Sequence, residues 1–65
     1  MAKKVYEVIA LLEENGWIYQ RTRGDHHVFT KPESRRVITV PGQRNKDLAS
    51  GTLNAILRQA GLKNI

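Results

Sequence analysis

Apolar residues recur at two different periods along this chain, and the changes of period divide it into elements. Val5, Val8, Ile9 and Leu12 fall at i, i+3, i+4 and i+7, the spacing of one buried helical face, and predict a first helix from Val5 to Leu12. Asn15-Gly16 closes it: Gly16 is free to take the left-handed conformation beyond the cap, and Trp17 is placed to pack back on Leu12 as a core anchor. From Trp17 to Arg23 aromatic and branched residues follow without a helical stripe, which predicts a first strand. His26 to Lys31 alternates and ends at Pro32, which has no N–H to give to a ladder; this is a second strand, with a turn over Lys31-Pro32-Glu33-Ser34. A third strand is read over Arg36–Val40, dense in β-branched residues and stopped by Pro41-Gly42. The polar stretch Gln43–Ala49 reads as a loop with room for one helical turn around Asp47 and Leu48. Leu53, Ile56, Leu57 and Ala60 then restore the helical period, with Ser50 as N-cap, Gly61 as stop signal and Leu62 folding back on Leu57.

The order α-β-β-β-α predicts an α+β fold in which two helices lie on one face of a three-stranded antiparallel sheet. Each helix has one apolar stripe and the sheet must bury one face, so the opposite face is left to solvent or a ligand. Gly24-Asp25 sits where the first two strands must reverse direction. Gly tolerates positive φ and Asp closes turns through its own carboxylate, so the pair predicts a tight hairpin. With 65 residues, the expectation is one domain over 1–65 with a thin core. The chain has no cysteine, so neither disulfides nor thiolate metal sites supplement that core, and a partner is expected to add stability. No apolar run approaches the ~20 residues that cross a bilayer, and Met1-Ala2-Lys3-Lys4 lacks the apolar stretch of a signal peptide; a soluble, cytoplasmic protein is expected, with no membrane partner.

The formal charge is +5, and its placement changes the picture more than its size. Residues 1–20 carry Lys3 and Lys4 against Glu7, Glu13 and Glu14. Residues 21–46 carry seven cations, Arg21, Arg23, Lys31, Arg35, Arg36, Arg44 and Lys46, against Asp25 and Glu33. Such a field attracts a polyanion, for which nucleic acid is the obvious candidate; a solvated basic surface that aids solubility is the alternative.

The chemistry-bearing residues concentrate in Gln20–Phe29, which holds both histidines and two arginines around the hairpin turn. Successive strand side chains point to opposite faces, so His26 and His27 cannot share an ion, and no carboxylate is spaced to complete a site with either; no metal or other cofactor is expected. There is no nucleophile elbow and no phosphate-cradling glycine loop. What remains is an imidazole amid guanidinium groups. RNA can be cleaved by its own 2′-hydroxyl when a histidine takes that proton and a cation stabilises the charge building on phosphorus. On this reading alone an exposed strand histidine with no role is the favoured account, and three functions stay open beside it: an RNA endonuclease, a non-catalytic RNA-binding module, and a basic subunit that docks an acidic protein.

Leu11-Leu12, Asn15-Gly16-Trp17, Arg21, Gly24-Asp25-His26-His27, Val40-Pro41, Gly51-Thr52-Leu53, Ile56-Leu57 and Gln59-Ala60-Gly61-Leu62, in this order across almost the whole chain, resemble the HicA-type toxin family. The resemblance implies a double-stranded-RNA-binding-like α-β-β-β-α fold and a ribosome-independent mRNA interferase, the toxin of a type II toxin-antitoxin system. It also implies a HicB-type antitoxin that masks the site. The family's catalytic histidine lies in a Gly-Ser-His motif whose place is held here by Gly24-Asp25-His26, so the resemblance assigns the chemistry to His26, with Arg21, Arg23 and Lys31 expected to hold RNA phosphate. Two departures stand out: Asp25 replaces the motif serine, and Gln43 stands where members often carry a second histidine.

Overall fold

Residues 3–62 are described by a computed structural model. The elements are β1 (Lys3–Lys4), α1 (Val5–Glu14), β2 (Ile18–Arg23), β3 (His26–Lys31), β4 (Ser34–Pro41), β5 (Asp47–Leu48) and α2 (Ser50–Gln59). Val5, Val8, Ile9 and Leu12 of α1 are all buried, as their spacing requires, and so are Leu53, Ile56 and Leu57 of α2. Both stripes join Trp17, Phe29, Ile38, Val40 and Leu48 in one core. In the antiparallel sheet β2-β3-β4, Phe29 faces Ile38 and His27 faces Val40, so these residues share the sheet face that both helices cover. The fold class and the α-β-β-β-α order are therefore as expected.

Both helices end alike. Gly16 and Gly61 take φ of 90° and 74°; Trp17 N–H donates to Leu12 O at 3.0 Å and Leu62 N–H to Leu57 O at 2.8 Å. These six-to-one bonds satisfy carbonyls that the helix leaves free and fold the next apolar residue back onto the core. The helix starts differ. Glu7 caps α1 by accepting the Lys4 N–H at 2.9 Å, whereas α2 begins one residue earlier than the Ser50 cap predicts, with Ala49 in extended geometry and no side-chain cap bond. Leu48, buried in the core, pins the chain immediately before that turn.

Asp47 and Leu48 correct a second expectation. They form no helical turn but pair as β5 with β1, in the register Lys3 to Leu48 and Lys4 to Asp47, supported by a Lys4–Asp47 ion pair at 3.2 Å. The reason lies at the start of α1, whose first N–H groups need acceptors: Val5 N–H donates to Lys46 O and Tyr6 N–H to Arg44 O, both at 2.9 Å. The loop is held extended to supply them.

Candidate nucleic-acid interface at the hairpin

The β2–β3 hairpin turns through two residues, with Arg23 opposite His26. Gly24 has φ +60° and Asp25 does not share its sign, so glycine occupies the first central position of a type II′ turn, whose twist matches that of the flanking strands. Strand alternation then separates the histidines. His26 faces outward with a half-exposed side chain, and its Nδ1 lies 3.2 Å from Asp25 Oδ1. His27 faces the helices and is 5% exposed.

A bulge decides where the arginines go. Tyr19 pairs with Phe29, but Arg21 rather than Gln20 continues the ladder opposite Val28, so two residues of β2 face one of β3. Under strict alternation Arg21 and Arg23 would share the inward face of Tyr19. The extra residue turns both outward and brings Thr22 inward, where its hydroxyl meets Tyr19 Oη at 2.7 Å and His27 Nδ1 at 3.0 Å. Arg23 thus becomes the direct cross-strand neighbour of His26, and Arg21 its diagonal one, roughly 7–8 Å away by sheet geometry.

Lys31 is not brought to this cluster. It lies five residues along β3 from His26, about 16 Å at strand rise, and its Nζ sits 5.8 Å from the Trp17 ring centroid. Arg36 is also engaged elsewhere: its guanidinium donates to Gln59 O at 3.1 Å, at the negative end of α2. Of the basic residues in the middle of the chain, the outward pair beside His26 is Arg21 and Arg23. Farther along the same face, the exposed Ile18 and Val37 flank Thr30, which accepts a bond from Gln20 Nε2 at 2.8 Å.

Sequence reasoning missed the inner network that backs the site. His27 Nε2 lies 2.8 Å from Gly42 O, and Gly42 N–H donates to Asp25 O at 2.8 Å. No motif marks Tyr19, Thr22 or Gly42, and the bulge that gathers them has no signature in the residue pattern.

The geometry defines an α+β domain that shields one sheet face with two helices and presents on the other an exposed imidazole beside two guanidinium groups. The family model for the HicA toxin of bacterial toxin-antitoxin matches residues 5–62, and the chain belongs to this family, whose members are RNA-cleaving toxins. Among solved structures it is similar to a chain of the HicA3 and HicB3 toxin-antitoxin complex, at 32% identity over the whole of both chains and a TM-score of 0.78. No curated protein matches it. No helix among the described residues is long and apolar enough to cross a membrane.

Proposed function

We propose that this chain is a ribosome-independent, metal-independent RNA endonuclease in which His26 moves the proton and Arg21 and Arg23 hold the phosphate. The observation that carries the reading is the placement of His26: outward on the open sheet face, directly across from Arg23, with Asp25 at its Nδ1. The Asp25 carboxylate orients the ring and leaves Nε2 as the atom free to meet substrate. In the reaction, the 2′-hydroxyl of a nucleotide seated at Nε2 loses its proton to the imidazole and attacks the adjacent phosphorus. The bond to the 5′-oxygen of the next nucleotide breaks and that oxygen takes up a proton, giving a 2′,3′-cyclic phosphate and a free 5′-hydroxyl. Guanidinium groups suit the other task, since their planar donors match phosphate oxygens and remain charged throughout. Lys31 is outside this set because it is held at Trp17.

One imidazole acting alone contributes about 10²–10⁴-fold, so the enzyme would be slow. A slow nuclease suits regulation better than digestion. The partner proposed for it is a HicB-type antitoxin, on the basis of the HicA3–HicB3 complex to which the chain is similar, and it would cover the face that meets RNA. The test is incubation of the purified chain with labelled single-stranded RNA and a chelator. Cyclic-phosphate products that vanish in His26→Ala support the proposal; retention of RNA without cleavage would make the chain a binding module instead.

A further inference from the structure

We infer that His27 is a positioning residue that fixes the backbone on both sides of His26; this rests on the reading of His26 as the proton-transfer group. The two residues flanking His26 both bond to Gly42. Asp25 accepts the Gly42 N–H through its carbonyl at 2.8 Å, and the His27 ring meets the Gly42 carbonyl at 2.8 Å. One peptide residue therefore brackets His26 and locks the hairpin to the segment that follows β4. Because a carbonyl can only accept, His27 Nε2 carries the hydrogen of that bond. In the neutral ring Nδ1 is then an acceptor, so the Thr22 hydroxyl donates to it and in turn accepts from Tyr19 Oη. The chain of donors runs one way, from Tyr19 through Thr22 and His27 to Gly42, and links β2, β3 and the end of β4 at the level of His26.

Packing alone does not require this arrangement. An apolar side chain would fill the buried site of His27, yet both ring nitrogens are engaged with partners five and fifteen residues away. Gly42 itself takes φ +101°, and a β-carbon there would meet Val5 Cγ2 at 3.4 Å, so the accepting residue is held between α1 and the hairpin. Reactions that depend on such placement lose up to about 10²-fold when a reacting group shifts by about 1 Å.

Thr22→Val removes the hydroxyl at an exposed position and should leave the fold intact; Thr22→Ser keeps the hydroxyl. Assayed well below the unfolding transition, Thr22→Val should lower kcat roughly tenfold with KM almost unchanged, and Thr22→Ser should restore it. His27→Phe should have the larger effect on kcat. It should also speed hydrogen exchange at the Gly42 amide relative to the amides of α1, and nitrogen-detected spectra of the wild-type ring should show the Nε2-protonated form. Wild-type kcat in folded Thr22→Val and His27→Phe overturns the positioning role. Unchanged Gly42 protection in His27→Phe overturns the bracket itself, whether or not RNA is cleaved. Absence of cleavage by the wild-type chain overturns the reading of His26, a separate readout.

Discussion

Two adjacent histidines should respond to the same substitution in opposite ways. His26→Ala removes a half-exposed ring whose Nδ1 lies 3.2 Å from a carboxylate oxygen of the equally exposed Asp25. Its cost in stability should stay within about 0.5 kcal/mol, as for surface substitutions generally. Its cost in cleavage should be the contribution of a general base, about 10²–10⁴-fold, equivalent to roughly 3–5 kcal/mol of transition-state stabilisation. His27→Ala removes a buried ring and two hydrogen bonds and strands the Gly42 carbonyl. At about 1 kcal/mol per bond, with roughly another 1 kcal/mol for the unpaired carbonyl and the space left behind, the loss is about 3 kcal/mol. In a domain of this size each kcal/mol moves Tm by about 4–8 °C, so Tm should fall by roughly 12–24 °C. Thermal unfolding followed by circular dichroism, together with RNA cleavage measured well below each transition, reads both quantities. A fully active His26→Ala chain, or a His27→Ala chain that melts within a few degrees of wild type, would refute the division of labour between the two faces of β3.

Three further outcomes follow from the same geometry. Replacing both Arg21 and Arg23 with alanine should flatten the dependence of log affinity for single-stranded RNA on log salt by roughly 1.4, about 0.7 for each phosphate no longer neutralised; an unchanged slope would move the binding face elsewhere. An antitoxin of the HicB type should compete with RNA and associate faster at low salt, through acidic residues that meet the outward arginines; simultaneous binding of both ligands at undiminished affinity would exclude a shared face. Gly51 lies within α2, does not take a positive φ, and has open space for 4 Å around the position a β-carbon would occupy, so Gly51→Ala should stabilise the chain by about 0.5–1 kcal/mol, seen as a Tm several degrees higher.

Much of the fold was legible because its signals are local. The helical stripes Val5–Leu12 and Leu53–Ala60, the glycine stops after both helices, and the Gly24-Asp25 turn each depend on residues within a few positions of one another, and each appears where expected. Alternation within β3 likewise sufficed to place His26 and His27 on opposite faces. The errors share one origin, since the strand β5 and the α2 cap are decided by partners distant in sequence, as are the positions that Lys31 and Arg36 take. Asp47 and Leu48 are extended because the start of α1 needs carbonyls more than thirty positions along the chain. Lys31 stands over Trp17, and Arg36 reaches the end of α2 across twenty-three positions.

The candidate site divides along the same line. The sequence by itself determined which residue types gather at the hairpin and that its two histidines face opposite ways, because turn chemistry and the two-residue period of a strand are properties of adjacent residues; the structure showed that His26 is the outward one. Only the tertiary structure decided that Arg21 and Arg23 share the face of His26. That outcome depends on one extra residue in β2 relative to β3, and a bulge is a relation between two strands, fixed by how Tyr19 packs on Phe29 and how Thr22 reaches His27, rather than by either strand alone.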